Sequence, residues 1–178
     1  SPTLRSRLPA LAAAAGAMAS GQIRNLATLG GNLCNAAPSA DLGPILMLAD
    51  IFPGARVLES GVGSGALSMT LVRAGAVVHG YELREDFANR AVKNVATFLG
   101  SDALDRYTVE QRDVYDGIDE VDLDRVVLDL PEPWQAVKHA ARAMHRGGVL
   151  VAYTPQITQA VQLRDELTGA GFGMVDTI

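Results

Sequence analysis

From Ile51 onward, short apolar runs alternate with stretches whose apolar positions recur every third or fourth residue. Runs of the first kind read as buried strands and stretches of the second kind as amphipathic helices. ARVLES (55–60) is a first predicted strand, broken by the glycines behind it, and residues 66–74 are a helix. AVVHGYEL (76–83) is a second strand. Between Arg84 and Gly100, the residues Phe87, Ala91, Val95 and Phe98 share one helical face, and Gly100 is the stop. YTVEQRDV (107–114) and RVVLDL (125–130) are the third and fourth strands. Trp134, Val137, Ala141 and Met144 mark a third helix closed by Gly147 and Gly148. GVLVAYTP (148–155) is a fifth strand, residues 157–169 a fourth helix, and FGMVDTI (172–178) begins as a strand. Strand and helix units repeated in this order require a parallel sheet with helices on both faces, because right-handed crossovers leave few other arrangements. The fold class is α/β, a doubly wound parallel sheet.

The first fifty residues have another character: they are poor in charge and rich in Ala, Gly and Asn. SRLPALAAAAGAMAS imitates a secretory signal, with two arginines, an alanine-rich stretch and a small-residue site. Alanine is only weakly apolar, so the segment reads instead as an Ala-rich helix from about Pro9 to Ala19. A boundary is expected within Asp41–Asp50, dividing residues 1–44 from residues 45–178.

Composition narrows the class. The 178 residues are 48% hydrophobic and 20% charged, which suits a folded globular protein. No apolar run approaches the ~20 residues of a membrane span, so a cytoplasmic protein without membrane contact is expected. The lone Cys34 excludes an internal disulfide framework, and it reads as a small buried residue. His79, His139 and His145 show no metal-ligand spacing, so no metal site is expected. Net charge is −5; three arginines against two aspartates leave residues 1–50 at +1, so the remainder carries −6. Such a chain is not an obvious polyanion binder.

The strongest chemical signal is Glu59-Ser-Gly-Val-Gly-Ser-Gly-Ala66, at a strand-to-helix junction. Gly61, Gly63 and Gly65 let the backbone turn tightly and let a ligand approach without meeting Cβ atoms. N–H groups at the helix start favour polar or anionic ligand groups. Read as G-x-G-x-x-A, the string also satisfies the dinucleotide fingerprint, so it is ambiguous between S-adenosylmethionine and a dinucleotide. Glu82 ends the second strand, where an acid accepts from ribose hydroxyls in either cofactor class. Asp113 is placed either to accept from an adenine amino group or to cap a helix. Asp129-Leu-Pro-Glu-Pro-Trp134 follows the fourth strand, at the carboxyl edge where open α/β sheets bind ligands. A carboxylate beside a flat aromatic ring suits a planar base hydrogen-bonded on its edge, which favours S-adenosylmethionine chemistry on a base.

Together VLESGVGSGALS, YELREDF, RDVY, DLPEPW and GGVLVAYTPQITQ resemble the tRNA (adenine-58-N1)-methyltransferases of archaea and bacteria, over about Ile45 to Ile178. The resemblance implies a class I methyltransferase sheet of Rossmann-like type, S-adenosylmethionine as methyl donor, and N1 of a tRNA adenine as acceptor. By matching positions, Gly61, Gly63 and Gly65 would hold the methionine part of the cofactor, Glu82 its ribose and Asp113 its adenine, with Glu59, Ser64 and Leu83 also among the cofactor-binding residues. Asp129 would lie beside the sulfonium and the target base as the catalytic residue. Pro131, Trp134, Tyr153, Thr154 and Gln156 would face the substrate. The family carries a small β-rich domain before this part and further strands after it. Neither is legible here, so the chain reads as truncated at the C-terminus, with weak or absent turnover. An unpaired edge beside GVLVAYTP then predicts a homo-oligomer.

Residues Gln22–Asp41, containing Thr28–Asn32 and the pair Gly30-Gly31, resemble instead the FAD-binding subunits of molybdenum hydroxylases. The match is short and the remainder of that flavin domain is absent. Flavin binding is therefore not expected, residues 1–44 are read as structural, and the chain reads as a chimera of two fragments. The alternative to an enzyme is a chimeric protein that folds, and binds S-adenosylmethionine, without catalysis.

Overall fold

The computed structural model describes residues 48–177. The helix predicted at Pro9–Ala19, the Gln22–Asp41 segment with Cys34, and most of the boundary predicted in Asp41–Asp50 lie outside them.

Strands β1 (Arg56–Ser60), β2 (Val77–Glu82), β3 (Tyr107–Gln111), β4 (Leu123–Asp129) and β5 (Met144–Tyr153) pair in the order β3-β2-β1-β4-β5, each neighbour parallel. Helices α1 (Ala66–Arg73), α2 (Glu85–Leu99), α3 (Val137–Ala143) and α4 (Ile157–Gly169) occupy the crossovers. The alternation along β1 shows how both faces are covered. Leu58 packs in one cluster with Ala140 and Ala143 of α3, whereas Glu59 reaches Ser68 of α1 on the opposite face. Val57, Leu58, Val126 and Leu128 are fully enclosed or nearly so, each contributing about 1.5–3 kcal/mol by burial. The chain leaves β1 outward through β2 and β3, then returns to its other side as β4. That reversal opens a crevice beyond the carboxyl ends of β1 and β4.

Arg125 of β4 is almost entirely buried. Its guanidinium donates to the carbonyls of Ala49, Asp124 (2.8 Å) and Asp50 (3.0 Å), and it lies 5.1 Å from the Phe52 ring centroid. This fastens the stretch before β1 to the sheet.

The structure corrects several predicted bounds. The third helix does not run from Trp134 to Met144: Pro133–Ala136 form a 3-10 turn and only Val137–Ala143 are α-helical. Pro131 and Pro133 restrict the residues before them and delay the start of the helix. Strand β5 begins at Met144 rather than Gly148, because Gly147 (φ 88°) lets the strand take an irregular register against β4. β3 ends at Gln111, since Asp113 turns the chain into a 3-10 segment at Val114–Asp116. FGMVDTI forms no strand over Phe172–Thr177. Gly171 (φ 91°) bends the chain back, Phe172 N–H closes α4 on the Leu167 carbonyl (3.0 Å), and Phe172 and Val175 pack against Val137, Leu163 and Leu167. Their apolar side chains are used for packing on α3 and α4, not for pairing with β5.

Candidate functional site

The loop from β1 into α1 is shaped by three glycines in the left-handed region: Gly61 (φ 86°), Gly63 (φ 55°) and Gly65 (φ 79°). A Cβ on Gly61 would stand 2.1 Å from the Asp129 carbonyl oxygen, so the glycine loop and the end of β4 touch backbone to backbone. A Cβ on Gly65 would meet Ala91 of α2 at 3.0 Å, which makes that glycine a helix-packing residue. At Gly63 a Cβ would meet nothing closer than 4.0 Å, and its N–H donates to Glu82 Oε2 at 2.9 Å. Asn94 of α2 donates its amide to the Ser64 carbonyl (2.9 Å) and pins the loop from outside.

A cavity of about 510 Å³ lies over the carboxyl ends of the strands. Of the predicted site residues, Gly61, Gly63, Glu82, Leu83, Asp113, Asp129 and Pro131 line it. The Glu82 carboxylate also accepts from Arg84 N–H at 3.0 Å, so two backbone donors fix it at the rim. The Leu83 side chain is exposed against the cavity, and Val114 is buried behind it. Asp113 Oδ1 accepts from Tyr115 N–H at 2.9 Å, so this residue caps the 3-10 turn while its carboxyl group lines the cavity. Of the two readings open for Asp113 from sequence, the cap is the one observed.

The other predicted residues stand elsewhere. Glu59 is buried beneath the sheet, accepting from Ser68 Oγ at 2.6 Å, and Ser68 Oγ accepts from the Tyr107 hydroxyl at 3.0 Å. Ser64 is exposed and Gly65 packs on α2, neither lining the cavity. Trp134 packs against Val137, Leu163 and Leu167, so its ring belongs to the α3–α4 core. Tyr153 ends β5 and Thr154 and Gln156 follow it, and none of the three lines the cavity. Gln159, one turn into α4, instead donates to the Pro131 carbonyl at 3.0 Å and ties that helix to the Asp129–Trp134 loop.

Sequence reasoning missed Arg84, Phe87, Arg112, Val114, Tyr115, Leu130 and Glu132, all on the cavity wall. Most directly follow a strand-end acid: Arg84 comes two residues after Glu82, Val114 and Tyr115 after Asp113, Leu130 after Asp129. Reading the residues beyond each strand end as wall would have found them. Arg112 is the first residue past β3 and was hidden because the predicted strand ran on to Val114.

Burial pushes the Glu59 carboxyl up to about 8; the Ser68 hydrogen bond opposes this, while the charges of Asp129 and Glu82 add to it. Glu59 is therefore a neutral acid at pH 7. Burial and a hydrogen bond to Glu120 push the Tyr81 hydroxyl up to about 12, so it stays a donor. The chemistry on offer is acceptor-rich: carboxylates at the ends of β2 and β4 and just beyond β3, apolar side chains between them, and a glycine floor. That combination fits a nucleoside with hydroxyl and amino donors and a compact cationic group.

Residues 37–178 match the family described as tRNA methyltransferase complex GCD14 subunit. Residues 1–52 match the FAD binding domain in molybdopterin dehydrogenase. The tRNA (adenine(58)-N(1))-methyltransferase TrmI of Thermus thermophilus is 38% identical over 126 residues, covering 69% of this chain and 49% of that protein. The tRNA (adenine(57)-N(1)/adenine(58)-N(1))-methyltransferase TrmI of Methanocaldococcus jannaschii is 35% identical, covering 77% and 58%. A SAM-dependent O-methyltransferase structure from Thermotoga maritima superposes with TM-score 0.67 at 32% identity, covering 80% of this chain and 56% of that one. The chain spans about half the length of the curated relatives it matches.

Proposed function

The chain belongs to the tRNA methyltransferase complex GCD14 subunit family, and from that premise we propose that its cavity binds S-adenosylmethionine for methylation of N1 of a tRNA adenine. The residues present suit that cofactor. Each oxygen of Glu82 takes one backbone N–H and keeps acceptor capacity for a ribose hydroxyl. Leu83 and Val114 offer apolar surface for an adenine ring, with the Asp113 carboxyl at its edge. Gly61 and Gly63 admit the methionine part against backbone. The observation that carries this reading is the joint placement of Gly63, Glu82, Asp113 and Asp129 around one cavity.

When bound, the cofactor supplies a methyl group on a sulfonium. The protein's share is alignment. Asp129 accepts from the adenine amino group, turns N1 toward the methyl, and is placed to receive a proton as N1 becomes quaternary. Because its backbone abuts Gly61, the carboxylate is registered to the cofactor floor without an intervening side chain.

Calorimetry with S-adenosylmethionine, S-adenosylhomocysteine, NAD and FAD tests the assignment. The first two bind and the last two do not. Glu82→Ala weakens binding by about 1–3 kcal/mol, the worth of hydrogen bonds to a charged acceptor. Unchanged affinity in that variant removes Glu82 from the site. On unmodified tRNA we expect weak or absent turnover from these 178 residues, because a net charge of −5 opposes approach of a polyanion. Turnover equal to that of a full-length relative refutes that expectation.

A second reading concerns residues 1–44. The two family matches overlap at residues 37–52, which favours a chimera in which the flavin-like segment is structural. A cytoplasmic location follows from a tRNA substrate; among the described residues no helix is long and apolar enough to cross a membrane.

A further inference from the structure

Two arginines line the cavity, and each is held in the same way. Arg84 lies 4.2 Å from the Phe87 ring centroid and donates to Asp86 through Nε (3.2 Å) and an Nη (2.9 Å). Arg112 lies 5.0 Å from the Tyr81 ring centroid and donates through both Nη atoms to Asp119, one contact being 2.7 Å. Asp119 is fixed in turn, its own N–H donating to the Tyr81 hydroxyl at 3.3 Å. Neither Asp86 nor Asp119 lines the cavity. The cavity's acids are treated differently. Among the described residues, Glu82 and Asp113 accept from backbone N–H groups and Glu132 from the Gln135 amide, all neutral donors. The cations on this wall are paired with aspartates outside it, whereas these acids are bonded only to neutral groups in the contacts named.

We propose that Asp119 and Asp86 are specificity-determining residues that cancel Arg112 and Arg84, so that the cavity prefers a cationic sulfonium ligand over its neutral thioether counterpart. This rests on the cofactor reading above. The two ligands differ by one methyl and a single positive charge, so a fixed charge on the wall acts on one and not on the other, and only a charge effect is screened by salt. Asp119→Asn keeps the side chain's size and releases one positive charge beside the cavity. For a unit charge acting across a cavity of about 510 Å³, whose width is on the order of 8 Å, an effective dielectric of about 20–40 changes the preference by roughly five- to thirty-fold. Glu110, in β3 two residues before Arg112, is the rival partner for a released Arg112.

The experiment is calorimetry of the full chain with S-adenosylmethionine and S-adenosylhomocysteine, at low and high salt. In Asp119→Asn the ratio of Kd for the methyl donor to Kd for the thioether rises by the stated factor, and the rise shrinks as salt shortens the Debye length. Asp86→Asn shifts the ratio in the same direction. Adding Arg112→Gln to Asp119→Asn returns the ratio to within about two-fold of the parent value, as expected for a unit charge removed again. An unmoved ratio in Asp119→Asn, whether because both ligands weaken equally or because Glu110 captures Arg112, overturns the proposal, as does a ratio indifferent to salt or no return in the double variant. A parent chain that binds neither ligand overturns the cofactor reading itself.

Discussion

Glu59→Gln removes one large pH-dependent contribution to stability. The Glu59 carboxyl has an ordinary value of 4.5 and is pushed up to about 8 by burial in the folded chain. Between those limits the folded state keeps a proton that the unfolded state has released. Stability contributed by this group is thus complete below pH 4.5 and is lost as pH rises toward 8. Each pH unit between the two values corresponds to about 1.4 kcal/mol, so the whole window amounts to an order of 5 kcal/mol. Glutamine matches the neutral acid in shape, with one acceptor for Ser68 Oγ and a donor on the other arm. Urea denaturation of parent and variant at intervals from pH 5 to about 8.5 measures the difference, each ΔG being taken from midpoint and slope. The variant gains on the parent by about 1.4 kcal/mol per pH unit across the window, then the two curves run parallel above it. Curves parallel throughout would show that Glu59 is ionised in the fold, and would refute its assignment as a neutral buried acid.

Gly61→Ala places a Cβ 2.1 Å from the Asp129 carbonyl at a positive φ, so it destabilises by at least about 2 kcal/mol and abolishes cofactor binding; parental stability by denaturation rejects the backbone contact. His145 faces the Asp124 carboxylate with Nε2 (2.9 Å) and the Arg146 carbonyl with Nδ1 (2.7 Å), and the Asp124 hydrogen bond, then the Arg146 carbonyl, raise its pKa. Its stabilisation is present below the ordinary histidine value and is lost as pH rises through the raised one. Proton NMR titration of the ring finds the raised value, and in His145→Gln that pH dependence disappears. Among the described residues β5 pairs with β4 alone, so light scattering is expected to report an oligomer; a monomer refutes assembly through that edge. Finally, the purified chain carries no flavin absorbance; a yellow protein overturns the structural role given to residues 1–44.

The central strands were legible because β1, β2 and β4 carry apolar runs ended by a glycine loop or an acid, as doubly covered parallel strands do. β1, β2 and α4 fall within one residue of their predicted bounds. The misjudged boundaries all depended on backbone geometry: proline delaying α3, Gly147 letting β5 start early, Gly171 folding Phe172 onto α4. At the site, strand-end acids were found because topology fixes where they emerge. Side-chain direction was not legible. Glu59 and Glu82 both belong to strand ends rich in glycine, yet one faces α1 and the other the cavity. The neutralised arginines were invisible for a different reason: Asp119 reaches Arg112 across a loop whose path no local pattern specifies.

Arg125 grips the residues before β1 by their carbonyls. A guanidinium that reads main chain asks little of the side chains it holds: Ala49 must be small, being fully enclosed, and Asp50 must tolerate φ 47°. Among the described residues the attachment of the sheet's first strand is thus written in main chain, and either Asp50→Asn or Asp50→Gly, residues that accept that φ, leaves the carbonyl grip of Arg125 in place.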